Sequence, residues 1–224
     1  MHRKVSDAVI RRLPRYYRQL ALLEQEGVQK ISSLALSGRM NITASQIRQD
    51  LNCFGGFGQQ GYGYNVAELR RHIAHILGLT HQYRMIVVGA GNIGQALSHY
   101  ANFSSEGYDV LALFDTDPDL IGRTFGQAKV LDGAGLAGFL ATHEVDIAAI
   151  TVPAGAALAV ARLCADAGIR AIWNFAPVDI VIPGVAVENA QLTDGLMALT
   201  YRLCDLKDEG EPTDGCTQTR PEEE

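Results

Sequence analysis

Cysteine is scarce in this 224-residue chain, and the four cysteines lie too far apart in sequence to form a local motif. Cys53, Cys164, Cys204 and Cys216 include no C-x-x-C pair, which argues against both a metal site and a disulfide framework. We therefore expect no bound metal, a reducing compartment and a cytoplasmic location.

Long apolar runs are also missing. Residues 1–18 are basic and lack the apolar core of a signal peptide. The most apolar region, residues 145–163, is interrupted by Asp146, Pro153 and Gly155. We expect no membrane-spanning segment and no membrane partner.

Basic residues are few in the second part of the chain and acidic residues are few in the first. Residues 1–82 carry 11 Lys and Arg against 5 Asp and Glu, a net charge of +6, whereas residues 83–224 carry 8 against 20, a net charge of −12. Half of the net negative charge of residues 83–224 lies in residues 208–224, which we expect to form a disordered acidic tail. A basic N-terminal module suggests nucleic acid as a partner, although a solvated charged surface has the same composition.

A glycine-rich turn after an apolar run is the strongest functional signal. Residues 85–88 predict a buried strand, and Gly89, Gly91 and Gly94 supply G-x-G-x-x-G where a helix should begin. Asp115 ends the next predicted strand, where a carboxylate accepts ribose hydroxyls and repels a 2′-phosphate. The pattern favours NAD over NADP. A structural turn or another nucleotide ligand, such as coenzyme A, is the alternative.

Alternating strands and helices over residues 83–188 predict a parallel sheet whose ligand crevice lies at the carboxyl ends of the strands. Two loops there, residues 151–153 and 174–177, lack ionisable groups, so NADH should bind better than the cationic NAD⁺. Two aromatic residues from a predicted helix over residues 92–106 could close the pocket or simply pack in the core. The predicted cofactor-binding residues are Gly89, Ala90, Gly91, Asn92, Ile93, Gly94, Asp115, Tyr100, Phe103, Thr151, Val152, Pro153, Asn174, Phe175 and Pro177.

The basic module has the order of a helix-turn-helix. Apolar spacing predicts helices over residues 14–26 and 32–37, and a turn at residues 38–41. Thr43 and Gln46 form a T-x-x-Q capping box that starts a third helix. Two short helices, a glycine-containing turn and a polar third helix favour DNA recognition.

The outward face of the third helix carries side chains that can contact base edges or phosphates, as an ordinary surface helix also does. The Gly-rich, aromatic residues 55–64 suit a β wing, with a flexible loop as the alternative, and Asn65 caps a fourth helix. The predicted DNA-binding residues are Ser45, Gln46, Arg48, Gln49, Asn52, Gln59, Gln60 and Tyr62.

With these motifs in place, the chain resembles the Rex family of redox-sensing transcriptional repressors over residues 12–207. The motifs that carry the resemblance are RLPRYYR at 12–18, ASQIRQDL at 44–51, FGGFGQQGYGY at 54–64, VVGAGNIG at 87–94, FDTDP at 114–118, ITVPA at 150–154 and NFAPV at 174–178. Their number and order make the match specific.

The resemblance implies an α/β protein with an N-terminal winged helix-turn-helix and a C-terminal Rossmann-like parallel sheet. The implied domains are a DNA-binding domain at residues 1–82, an NAD(H)-binding domain at 83–188 and a dimerisation helix at 189–207, followed by the acidic tail at 208–224. It further implies a homodimer in which that C-terminal helix is exchanged between subunits. Such a dimer would bind palindromic operator DNA, and NADH, opposed by NAD⁺, would release it from genes of fermentation or respiration.

Three positions depart from relatives of this kind. Gln49 and the pair Gln59 and Gln60 stand where many members have basic residues, which shifts base preference toward adenine and lowers the salt dependence of DNA binding. The implied switch candidates are Arg18, Tyr100 and Gln191, and Gln191 stands where some members have an Asp.

Two other functions fit parts of the sequence. An NAD-dependent oxidoreductase needs a general acid or base beside the nicotinamide, and none of the six histidines falls in the two pocket loops. A coenzyme A binding domain has a similar sheet but gives no reason for Asp115 or for the basic module. We therefore expect a regulator, with no catalytic residues.

Overall fold

A computed structural model describes residues 5–57 and 63–208 of the chain, without the side chains of residues 207 and 208. The chain divides into two compact units, Met1–Gln82 and Tyr83–Glu224. The predicted acidic tail, apart from residue 208, lies outside the described residues.

The first unit is a small helical domain with one short sheet. Its core joins all four helices through buried side chains such as Tyr16, Leu36, Ile47 and Ile73. Its elements are α1 (Asp7–Gln25), β1 (Lys30–Ile31), α2 (Ser33–Met40), α3 (Ala44–Asn52), β2 (Tyr64–Asn65) and α4 (Val66–Ile76), with β1 and β2 antiparallel.

Two helix boundaries predicted for this unit are wrong. Helix α1 begins at Asp7, not near Pro14, because burial of Val9 and Leu13 offsets the cost of a proline within the helix. Pro14 has no N–H to donate to the carbonyl of Ile10, and Ile10 lies on the exposed side of the helix. Helix α2 continues through the predicted turn to Met40, and Asn41 in the left-handed conformation ends it.

The N-caps of α3 and α4 are confirmed, but only the Thr43 half of the predicted capping box is present, because the Gln46 side chain donates to Asp50. The hydroxyl of Thr43 accepts the backbone N–H of Gln46 at 3.1 Å, and the Asn65 side chain accepts that of Glu68 at 3.0 Å. These caps place the third and fourth helices where the sequence predicts them. Five of the ten residues of the predicted wing, 58–62, lie outside the described part, and its last residue, Tyr64, belongs to β2 and pairs with Ile31 of β1.

The second unit is a seven-stranded sheet in the order β5-β6-β4-β3-β7-β8-β9, parallel except for β5. This confirms the predicted Rossmann-like sheet. The strands are β3 (Tyr83–Val88), β4 (Tyr108–Asp115), β5 (Thr124–Phe125), β6 (Ala128–Asp132), β7 (Ile147–Ile150), β8 (Ala171–Asn174) and β9 (Ala186–Asn189). The helices are α5 (Asn92–Ser98), α6 (Asn102–Ser105), α7 (Leu136–Thr142), α8 (Ala154–Asp166) and α9 (Leu192–Asp208).

The helix predicted over residues 92–106 is wrong as one element, because it breaks into α5 and α6 at residues 99–101. The backbone of Gly126, at the turn between β5 and β6, approaches the carbonyl of Ser98 so closely that a Cβ would overlap it. This approach occurs where α5 ends, so the following residues turn before α6 begins.

The sheet is covered unevenly. Helices α5 and α6 pack on one face through Leu97 and Phe103, while α7 and α8 pack on the other through residues such as Leu140 and Cys164. On the α5 side, strands β7 to β9 border a cavity of about 570 Å³ lined by residues that include Ile147 and Trp173.

Helix α9 lies apart from this core. From Leu192 to Leu206, all its residues except Cys204 are exposed, including five leucines. Within residues 5–57 and 63–208, no helix combines the length and apolarity that a membrane span requires.

Candidate nucleotide site and DNA-recognition surface

The turn between β3 and α5 requires glycine at two of its three motif positions. Gly89 has φ +107°, and a Cβ there would lie 2.8 Å from the backbone of Thr151. A Cβ on Gly94 would overlap the carbonyl of Gly89, so the third glycine lets α5 pack on the strand. A Cβ on Gly91 would meet nothing within 4 Å. The missing side chain of Gly91 therefore leaves open space at the loop, where a pyrophosphate would approach.

Asp115 closes the other side of this turn. One carboxylate oxygen accepts the backbone N–H of Ala90 at 2.5 Å, and the other accepts those of Thr116 and Asp117 at 2.7 and 2.9 Å. The sequence predicts a ribose contact for Asp115, and the structure adds a role in holding the glycine turn. A carboxylate held in this way can accept ribose hydroxyls only at its remaining lone pairs.

The first pocket loop is tied to the same turn. The hydroxyl of Thr151 donates to the carbonyl of Gly89 at 2.7 Å, with a longer contact of 3.1 Å to that of Val88. Val152 is partly buried against the core, and Pro153 precedes the first turn of α8. Thr151 thereby links the carboxyl ends of β3 and β7, which are neighbours in the sheet.

The second pocket loop is held from inside by Asn174. Its side chain is fully buried and makes three hydrogen bonds, to Val178, Asn189 and the backbone N–H of Ala176. The structure thus uses the Asn174 side chain to shape the loop. Phe175 follows it, and its N–H donates to the carbonyl of Ile150 at 2.8 Å.

The two predicted pocket aromatics lie on the α5 face of the sheet. Phe103 packs against Tyr100, Tyr108 and Trp173, with ring centroids 4.8, 6.3 and 6.1 Å apart. Trp173 in turn packs against Phe175 at 4.5 Å. This aromatic cluster, residues 100, 103, 108, 173 and 175, connects the predicted aromatics to the second pocket loop, and Tyr100 remains 51% exposed.

In the first unit, α3 presents four of its five predicted DNA-binding residues to solvent. Ser45, Arg48, Gln49 and Asn52 are exposed, and the guanidinium of Arg48 donates to the hydroxyl of Ser33 at 3.0 Å. Gln46 is half-buried, and its amide donates to Asp50 at 2.6 Å. The predicted wing residues Gln59, Gln60 and Tyr62 lie outside the described residues.

A buried carboxylate that sequence reasoning missed fixes α3 against α1. Asp50 is 1% exposed and accepts two hydrogen bonds from Arg12, at 2.6 and 2.8 Å, and one from the Tyr16 hydroxyl at 2.7 Å. Burial alone would raise the pKa of Asp50, but hydrogen bonds from Arg12, Tyr16 and Gln46 outweigh burial and lower it. Its position three residues after the inward-facing Ile47 is the sequence signal that could have revealed it.

The three switch candidates lie in different elements. Arg18 is exposed on α1 in the first unit. Tyr100 lies between α5 and α6 in the second unit, and the Gln191 amide donates to Asp179 at 3.4 Å just before α9.

Comparisons with known proteins match both units. A family model described as a putative DNA-binding protein N-terminus matches residues 4–52, and one described as a CoA binding domain matches residues 80–178. Among solved structures, RSP in complex with β-NAD⁺ and operator DNA is 46% identical, with a TM-score of 0.85, over 94% of this chain and 100% of RSP. RSP in complex with β-NADH is 43% identical, with a TM-score of 0.84, over 93% of this chain and all of RSP.

Curated relatives match over nearly the whole length. The redox-sensing transcriptional repressor Rex of Clostridium botulinum strain Hall is 51% identical over 199 residues, 88% of this chain and 95% of the relative. The repressor of the same name from Clostridioides difficile strain 630 is 49% identical over 203 residues, 90% of this chain and 97% of the relative. The chain therefore belongs to the Rex family of redox-sensing transcriptional repressors.

Proposed function

We propose that this protein is a repressor that binds palindromic operator DNA and is released by NADH, with NAD⁺ opposing, and so controls genes of fermentation or respiration. The observation that carries the proposal is that a helix-turn-helix with an exposed polar third helix shares a chain with a glycine turn closed by Asp115. RSP, a Rex-family repressor 46% identical to this chain, forms a complex with NAD⁺ and operator DNA. A repressor acts on DNA, so we infer a cytoplasmic location.

The residues present fit NAD(H) as the ligand. Gly91 leaves room for the pyrophosphate, and Asp115 disfavours the additional phosphate of NADPH by charge repulsion. The loops at residues 151–153 and 174–177 would face the nicotinamide and contain no ionisable side chain. Such loops favour the neutral reduced ring over the cationic oxidised ring. They also supply no general acid or base for hydride transfer, so we infer sensing and not catalysis.

We further propose a homodimer. The leucines of α9, at positions 192, 196, 199, 203 and 206, follow one stripe of the helix and are each more than half exposed. The cavity beside β7 to β9 is a second surface from which a partner would exclude water. An exposed apolar stripe of this size is typical of a protein–protein contact. A second copy of the chain also suits two-fold symmetric DNA.

A titration tests the proposal. A labelled duplex that this protein selects from a random-sequence library is bound to saturation, and NADH, NAD⁺ or NADPH is added while fluorescence anisotropy reports binding. We expect NADH to weaken DNA binding about 5–150-fold, the usual range for linked sites, and NAD⁺ and NADPH to be much less effective. Asp115→Ala should require at least about tenfold more NADH, the loss expected for about 1.4 kcal/mol, and should bind DNA normally without NADH.

Asp119→Ala is the matched control, because Asp119 is exposed and lies in the loop that follows Asp115. If none of the three nucleotides changes DNA binding, the proposed function is wrong. Oxidation of NADH by the protein with a small carbonyl compound would favour the oxidoreductase instead.

A further inference from the structure

Two asparagines end neighbouring strands at the same edge of the sheet. Asn174 is the last residue of β8, Asn189 is the last residue of β9, and the two are partners in the parallel register. Because parallel strands end at one edge, this pair stands at the ligand side of the sheet. The eleven residues that separate β8 from β9 begin with the second pocket loop.

The two side chains bind each other and the loop between them. The Asn174 amide nitrogen donates to the Asn189 oxygen at 2.8 Å and to the carbonyl of Val178 at 2.7 Å. The Asn189 oxygen also accepts the N–H of Ile180 at 3.0 Å, while its nitrogen donates to the Ile180 carbonyl at 3.2 Å. Each of the two side chains both donates and accepts, since the Asn174 oxygen also accepts the N–H of Ala176, and this explains asparagine and not aspartate at both strand ends.

The same pair holds the segment that leads into α9. The N–H of Ala190 donates to the carbonyl of Asn174 at 2.7 Å, and α9 begins two residues later at Leu192. The Gln191 side chain makes a second, longer contact at 3.4 Å with Asp179, which lies in the connection between β8 and β9. The pocket loop and the start of α9 are therefore one hydrogen-bonded unit. A shift of the loop cannot leave the start of α9 in place without breaking part-buried hydrogen bonds, which has a cost in free energy.

We propose that Asn174 and Asn189 are positioning residues that transmit cofactor binding from the second pocket loop to the start of α9. The inference rests on the proposed function and names the link by which NADH changes DNA affinity. The Asn174 side chain is fully buried and bonded to Ala176, Val178 and Asn189, so it acts by holding the loop in place. The link is uncharged, so it does not depend on an acidic residue at position 191.

The test measures a coupling ratio in the full-length protein. For each variant, the dissociation constant for the selected duplex is determined without NADH and at saturating NADH. The coupling ratio is the constant with NADH divided by the constant without NADH. Asn189→Ala should lower this ratio toward one, by about 2- to 30-fold where the wild-type ratio is large enough, the range seen when residues linking two sites are changed. Operator affinity without NADH should change much less. The NADH concentration is raised until each variant is saturated, so weaker NADH binding alone does not alter the ratio.

Two further variants separate coupling from stability. Leu140→Ala removes a buried side chain of α7 on the other face of the sheet, and it should lower stability while preserving the ratio. Asn189→Asp keeps the oxygen that accepts from Asn174, and it should retain more of the ratio than Asn189→Ala does. If Asn189→Ala does not fold, Asn189→Ser carries the test, because its shorter side chain cannot reach Asn174.

This inference is overturned if the wild-type ratio is well above one and the folded Asn189 variant has the same ratio. The proposed function is then still supported. An equal loss of the ratio in Leu140→Ala overturns the inference as well, because general destabilisation would then explain the effect. A wild-type ratio of one contradicts the proposed function itself.

Discussion

The carboxylate of Asp50 connects helix α3 to helix α1. Its partners Arg12 and Tyr16 are 38 and 34 residues away in sequence, and both donate to it within 2.8 Å. Arg12 keeps 24% of its side chain exposed, whereas Asp50 keeps 1%. The charge that is hardest to hydrate therefore has the most hydrogen bonds, as a buried ion pair requires.

We expect Asp50→Asn to destabilise the first unit by about 2–3 kcal/mol, somewhat less than for a fully buried pair, because Arg12 can regain water. Urea unfolding of both proteins measures the loss. Glu26→Gln is the control, since Glu26 pairs with Arg39 on the exposed surface and should contribute less than about 1 kcal/mol. Equal losses in the two variants would contradict the role given to Asp50.

The lowered pKa of Asp50 also predicts a pH dependence. Below its ordinary value of 3.8, the unfolded chain takes up a proton that the folded Asp50 still excludes, so stability falls as pH falls through the lower folded pKa. The first unit of the wild type should lose more stability on acidification than that of Asp50→Asn. Parallel pH profiles of the two proteins would show that another group controls acid unfolding.

At the scale of single elements, helix α3 has two faces with separate tasks. Ile47, Asp50 and Leu51 are buried and fix the helix on the unit, while Arg48 and Gln49 are exposed and are the side chains that we propose to contact DNA. The cap by Thr43 sets where the helix begins and so which side chains point outward.

Arg48→Ala should weaken binding to the selected duplex about 5–150-fold, the discrimination expected of one good base contact, and should leave NADH binding unchanged. Arg39→Ala is the matched control, because it removes the same charge from an exposed position on α2. Anisotropy titrations at two salt concentrations separate the loss of a base contact from the loss of one positive charge. Equal losses for the two variants would indicate that only net charge matters.

At the scale of the whole molecule, the proposed dimer depends on the leucine stripe of α9. Leu196→Glu together with Leu203→Glu places charges in that stripe and should convert the dimer to a monomer, since burying unpaired charges is costly. Analytical ultracentrifugation measures the mass. Ala198→Glu, on another side of the helix, should remain dimeric, and a dimer in the double variant would contradict the proposed interface.

Local sequence patterns predict most of the helices and strands and the glycine turn between β3 and α5. Gly89, Gly94 and Asp115 were recognised because their spacing reflects steric requirements within one strand–turn–helix segment. The start of α1 was predicted wrongly, because burial of Val9 outweighed the local signal of Pro14. The local helix propensity of a segment does not decide its structure where packing against distant residues contributes more free energy.

By itself, the sequence determined the order of the elements, the caps of α3 and α4, and the glycine turn, since each depends on residues a few positions apart. Only the tertiary structure decided which side chains of those elements face inward to distant partners. Asp50 meets α1, and Asn174 meets Asn189, because helix packing and strand register bring them together. Helical spacing can place Asp50 on the inward face of α3, but hydrogen bonds between distant residues leave no periodic pattern that identifies the partner. The partners of Asp50 and Asn174 are therefore visible only in the folded protein.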